Sequence, residues 1–341
     1  MSAVSSAYSN ALGAGSQALE IARVFCILFM SYVHLHFFDA GHASPEAFLV
    51  MEAVIADILG RSSVPLLSVA SGFLMVRFFA RRDYKSAVSQ RFRTLIIPMM
   101  IWNALAMILF MDFRDAAPLD LVNGLLAVTE PPAQLHLAFL RDLMALTCLT
   151  PLFIYGARRR PVVTALIVAA VYLAQPKIWI VLRTQILFFY VVGVYLAVHA
   201  DRIRFPTRWE KTGVYAVAGA VTLVQIAALF EPRIGELIGG ALYDNAVRRP
   251  VIALAMWCFC VDIAPTAAGR RIHLAGKNMF LFFLAHGLIF HAVGAAYART
   301  PDVLHGQLIY TLAWLATPVA ALIGLNLVLT VRGRIFPPEQ A

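Results

Sequence analysis

The sequence predicts an all-α integral membrane protein of about ten transmembrane helices with both termini cytoplasmic. Three observations predict it. Of 341 residues, 61% are hydrophobic and 14% charged, against roughly 25% charged in soluble domains, and the mean hydropathy is +0.76. The apolar residues gather into runs near the ~20 residues that cross a bilayer. The basic residues fall in alternate connections, as the positive-inside bias requires. The net charge of +9 therefore reflects topology, and no nucleic-acid partner is expected.

The apolar runs cover 19–39, 62–80, 94–113, 136–157, 161–175, 178–199, 212–230, 248–265, 276–297 and 307–331. Basic groups follow every second run: Arg77 to Arg93, Arg158 to Arg160, Arg202 to Lys211, Arg270 to Lys277, and Arg332 with Arg334. The other side carries Glu46, Glu52 and Asp57, then Asp112 to Glu130, then Glu231, Glu236 and Asp244, then Asp302. Ten spans place every strongly basic connection in the cytoplasm. Residues 1–18 form a cytoplasmic tail that lacks the basic region of a cleavable signal peptide, 19–331 form the membrane domain, and 332–341 a second tail. The three longest connections, 40–61, 114–135 and 231–247, lie outside, where binding loops or small surface helices are expected. Phe48 to Leu59 is apolar enough to lie against the membrane or cap the bundle. The four cysteines lie in apolar runs without C-x-x-C spacing, so neither a disulfide framework nor a metal site is expected.

The first run carries the strongest signal. Arg23 and His34 are eleven residues apart, which in a continuous helix leaves them ~20° apart in azimuth and ~16 Å apart in depth. Glu20 joins them on the same face, whereas His36 lies on another. Ionisable groups in hydrocarbon are costly and normally face a bundle interior or a wet cavity. Arg23 offers a fixed charge for phosphate or an oxyanion, and His34 a base matched to neutral pH. A snorkelling arginine and a hydrogen-bonded packing histidine are the structural alternatives.

Ser62 to Leu74, with Pro65, Ser68, Ser71 and Gly72, reads as a helix that bends and packs closely, and Ser71 would line the cavity beside His34. Arg91 and Arg93 end a basic loop suited to the phosphates of a nucleotide-like donor, although topology alone also accounts for them. Arg141 and Asp142, opening the fourth span, should pair internally or with another helix. His136 is placed to orient an acceptor. His286, His291, Asp262 and Arg183 are further polar intrusions, each more often a packing residue than a catalyst.

Arg23, ten intervening residues and His34, followed by Ser71-Gly-Phe-Leu74, Arg91 to Pro98, His136-Leu-Ala-Phe-Leu140 and Gly276 to His286, resemble the acyltransferase 3 family of membrane acyltransferases. The resemblance runs in order through nearly the whole chain. It implies transfer of an acetyl or succinyl group from cytosolic acyl-CoA to a hydroxyl of a surface or exported glycan, or a glycolipid, at the bacterial cytoplasmic membrane. It implies Arg23 and His34 at the reaction centre and Arg91 at the donor mouth. Glu20, Ser71, Arg93, His136, Arg141 and His286 are assigned to substrate or donor binding, with no permanently bound cofactor and no metal. Thr94 stands where the family often has a second arginine, a place Arg93 would fill, and Ala138 where it often has tryptophan. The chain is nearest the exopolysaccharide and glucan branch. A covalent acyl-His34 intermediate is an alternative to general-base catalysis. A transporter or flippase for a glycan or small molecule is the rival function.

Overall fold

A computed structural model describes residues 2–35, 46–111, 116–174, 183–202, 206–300 and 307–335. The expected His36, Asp112, Asp115, Arg204 and Asp302 lie outside the described residues, as do parts of several predicted spans and connections. Among the described residues the chain is helical without a strand. The helices are α1 (Ser2–Tyr32), α2 (Glu46–Glu52), α3 (Arg61–Phe79), α4 (Tyr84–Arg91), α5 (Ile97–Phe110), α6 (Pro118–Leu126), α7 (Ala138–Arg159) and α8 (Pro161–Ala174). They continue with α9 (Thr184–Val198), α10 (Arg208–Phe230), α11 (Pro232–Ile238), α12 (Ala241–Tyr243), α13 (Arg249–Ile263), α14 (Ala267–Ala275), α15 (Met279–Tyr297) and α16 (Gln307–Ile335).

Each of the ten predicted runs meets a helix. Among the described residues, six helical stretches are long and apolar enough to cross a membrane: Glu46–Phe79, Tyr84–Phe110, Leu135–Arg159, Arg208–Phe230, Ala267–Tyr297 and Leu308–Thr330. Ile108, Leu166, Leu223, Ile323 and Leu327 on these and the shorter helices are more than half exposed, a density of open apolar surface that fits lipid rather than water.

The boundaries differ from the sequence expectation in instructive places. The stretch 46–60, expected as a connection or cap, is α2 followed by a π-helical segment, Ala53–Gly60, that runs directly into α3. Its Phe48, Ala53, Ala56 and Ile58 are buried, so its apolar side serves the core. The expected tail 1–18 is helical from Ser2; its alanines favour a helix, and Gly13 and Gly15 weaken it without ending it. Two more of the connections expected outside contain the short helices α6 and α11, each begun by a proline in its first turn, where the missing N–H has no helical role. Caps start the helices that carry charge: Asp83 accepts from Ser86 N at 3.0 Å before α4, Thr207 and Glu210 form a capping box before α10, and Thr266 accepts from Gly269 N at 3.1 Å before α14.

The chain divides into two compact units, Met1–Ser63 with Thr207–Ala341, and Val64–Pro206. In the first, α1 is the central strut, packed against the π-helical segment, α13, α14, α15 and α16. Tight spots fix it. A side chain at Gly60 would meet Val33 Cγ2 at 2.6 Å and the Phe29 carbonyl at 2.7 Å, and one at Gly276 would meet Val24 Cγ2 at 2.7 Å. Tyr32 closes the end of α1 by donating to the Leu315 carbonyl at 2.7 Å and packing its ring 4.8 Å from that of Trp314.

In the second unit α7 packs with α4, α8 and α9. α3 meets α9 through Gly72 and Gly193: a side chain on the first would collide with the Tyr190 carbonyl, and one on the second with the Val69 carbonyl. Tyr190 shares a 2.7 Å hydrogen bond with Thr150 of α7.

Candidate active site

In the first unit, α1 stays α-helical to Tyr32 and then tightens. Val33, His34 and Leu35 donate backbone hydrogen bonds three residues back, to Met30, Ser31 and Tyr32, at 3.1 to 3.2 Å. His34 therefore stands in a turn beyond α1, a correction to the continuous-helix geometry. Three-residue turns advance ~120° per residue instead of ~100°, so Arg23 and His34 are further apart in azimuth than the straight helix predicts. Arg23 is exposed, one turn from Glu20, whereas His34 is half-buried.

His34 lies against His286. The ring centroids are 5.6 Å apart with planes tilted by 44°, and His286 is fully buried in the middle of α15. His286 Nδ1 is 2.8 Å from the Phe283 carbonyl and 3.3 Å from that of Phe282. A carbonyl only accepts, so Nδ1 carries the hydrogen. The rings of Phe282, Phe283 and Phe290 surround it at 5.5 to 6.0 Å.

Glu20 is engaged by a residue that sequence reasoning passed over: His273 of α14 approaches it at 2.7 Å, with both side chains partly exposed. The visible signal was a histidine close in sequence to Arg270, Arg271 and Lys277. Arg248, also passed over, is 3% exposed. It pairs with Asp244 at 2.8 Å and donates to the Asp57 carbonyl at 2.9 Å, tying the π-helical segment down.

In the second unit, Asp142 is fully buried between two guanidiniums, Arg141 Nη2 and Arg183 Nε, each at 2.7 Å. The expected pairing of Arg141 with Asp142 is present, and Arg183, the extended residue that precedes α9, supplies the second partner. Arg141 Nη1 also donates to the carbonyl of Ala127, a non-glycine residue at φ 54° in the left-handed region that L side chains rarely adopt. The arginine thus holds a strained turn closed. His136 and Gln134 are buried, and Gln134 Nε2 donates to the Trp102 carbonyl at 2.9 Å.

Arg93, Lys85, Tyr84, Ser89, Phe92 and Met144 line a pocket of about 480 Å³, with the lysine, the arginine and both rings exposed. Arg91 is not in its lining; its guanidinium covers the Phe78 ring at 5.2 Å, and Arg82 covers the same ring at 5.1 Å. Ser71 is half-buried, next to the Gly72 contact with α9. The first unit thus holds two facing imidazoles and an exposed guanidinium, and the second a pocket lined by a lysine, an arginine and aromatic rings.

Residues 16–331 match the acyltransferase 3 family, described as an acyltransferase domain. The chain is also similar to the succinoglycan biosynthesis protein ExoH of Rhizobium meliloti (strain 1021), with 26% identity over 256 residues, covering 69% of this chain and 67% of that protein. No solved structure matches.

Proposed function

The chain belongs to the acyltransferase 3 family and is an acyltransferase, and from that premise we propose that it moves an acetyl or succinyl group from cytosolic acyl-CoA to a hydroxyl of a surface or exported glycan. The observation that carries the reading is His34, half-buried and set against the ordered ring of His286. Similarity to a protein named for succinoglycan biosynthesis supports a glycan acceptor. Family membership decides for an enzyme over a transporter.

In this reading the acceptor oxygen attacks the thioester carbonyl while His34 removes the hydroxyl proton. Arg23, about 16 Å from His34 along the helix, orients the acyl-CoA donor through its fixed positive charge. Collapse breaks the carbon–sulfur bond, and the CoA thiolate leaves with the proton from His34. The pocket with Lys85 and Arg93 receives the donor's phosphates, its tyrosine and phenylalanine the adenine ring. Arg141 and His136 serve the acceptor side, and Glu20 and Ser71 border the substrates. Ten spans crossing the bacterial cytoplasmic membrane, a single domain over 19–331 and cytoplasmic termini put the basic connections on the donor side.

The test is mass spectrometry of surface glycans from a deletion strain complemented with wild type or His34→Ala at equal membrane level. The reading requires an acetyl or succinyl substituent that wild type restores and the variant does not. Normal acylation with the variant refutes the role of His34, and an unchanged glycan profile on deletion refutes the acceptor.

A further inference from the structure

His286 is in the middle of an apolar helix, and its geometry gives it a direction. Nδ1–H is committed to the Phe283 carbonyl at 2.8 Å, which leaves Nε2 of the neutral ring as a lone-pair acceptor. Three phenylalanine rings wedge the imidazole at that orientation, and the position is fully buried. Centroids 5.6 Å apart leave room for a ring nitrogen of His34 to come within hydrogen-bond reach of Nε2. His34 itself sits in a tightened turn held from behind by the Gly60 and Tyr32 contacts.

We infer that His286 is a positioning residue for His34: its Nε2 accepts one N–H of the His34 ring and thereby turns the other, unprotonated nitrogen toward the acceptor hydroxyl. This rests on His34 being the general base. A base oriented by a third group is the recurrent logic of activated nucleophiles. Neutral imidazole has one donor and one acceptor nitrogen, and fixing the donor fixes the acceptor. When His34 takes the substrate proton, the resulting imidazolium keeps its bond to Nε2 and returns the new proton to the departing thiolate. His286 gains and loses no proton in the cycle, and it touches neither donor nor acceptor.

The experiment uses the full chain purified in nanodiscs, with CoA release measured on acyl-CoA and the glycan extracted from the deletion strain. His286→Phe keeps volume in the aromatic cage but removes the acceptor. It is expected to lower kcat roughly ten- to a hundred-fold with KM for acyl-CoA within about twofold, the signature of a lost transition-state interaction. His286→Gln, whose amide oxygen can stand near the position of Nε2, is expected to recover a substantial part of the loss. Wild-type kcat in His286→Phe overturns the inference, as does an equal loss in both variants or a loss confined to KM. Should the phenylalanine variant not fold, ¹⁵N chemical shifts of the wild-type histidines decide: His286 must be the Nδ1–H tautomer, and the Nε2–H tautomer overturns the inference. Activity in His34→Ala would fault the base assignment itself, whereas an inactive His34→Ala beside a fully active His286→Phe faults only the positioning role.

Discussion

Arg183 donates through Nε to Asp142 at 2.7 Å, joining α9 to a carboxylate that has no contact with solvent. Arg141 approaches the same carboxylate at 2.7 Å. Removing Asp142 leaves two cations facing each other, one of them partly solvated, so Asp142→Ala is expected to destabilise the protein by about 1–3 kcal/mol. Thermal unfolding of the purified variant checks this. The double variant with Arg183→Ala should cost less than the sum of the singles, because the second change relieves the charge the first exposed.

Gly72 and Gly193 set the closeness of α3 and α9. Backbone blocks each added side chain, and backbone does not rotate away as a flexible side chain would. Gly72→Ala and Gly193→Ala are each expected to destabilise by about 1–3 kcal/mol, read as lower thermal midpoints in matched detergent. Gly219→Ala, where nothing lies within 4 Å, should leave the midpoint at or slightly above wild type.

The pocket beside α4 predicts a separation of binding from chemistry. Lys85→Glu and Arg93→Glu are each expected to raise KM for acyl-CoA roughly tenfold, the equivalent of one lost charge-assisted hydrogen bond. kcat should stay within about twofold, and the effect should shrink at high salt. Initial-rate kinetics across acyl-CoA concentration and ionic strength measure all three.

Glu20 and His273 form a partly exposed pair, 49% and 37% open to solvent. Such pairs contribute little, so Glu20→Gln is expected to shift stability by less than about 1 kcal/mol. The same variant tests Glu20's proposed place at the substrates. KM for acyl-CoA should rise if the carboxylate orders Arg23 one turn away, and thermal unfolding beside kinetics separates the two effects.

How much was legible in the chain follows from what kind of physics placed each residue. Hydrocarbon demands long apolar runs, so each run from 19–39 to 307–331 meets a helix. Charge adjacent in sequence was equally readable: Arg141 and Asp142 had to find each other or pay for burial. The start of the second long helix at Glu46 was not readable, because a stretch with Glu46, Glu52 and Asp57 looks like a connection until its other side is seen to be buried. The three-residue turn at His34 was hidden because nothing between Ser31 and Leu35 breaks a helix by propensity. Partners far apart in sequence were silent altogether. His34 with His286, Glu20 with His273 and Asp142 with Arg183 meet only because helices fold together. Arg23 and His34 were found on helical periodicity, and the structure keeps both while giving them different surroundings, one exposed and one half-buried.

The central claim is that His34 takes the proton of an acceptor hydroxyl as it attacks an acyl thioester. Acceptor-dependent CoA release by the purified chain, wild type against His34→Ala at matched folded protein, tests it most directly. A fall of roughly 10²- to 10⁴-fold in kcat with acyl-CoA binding retained is the predicted result. Wild-type CoA release and acylated glycan from His34→Ala would contradict it.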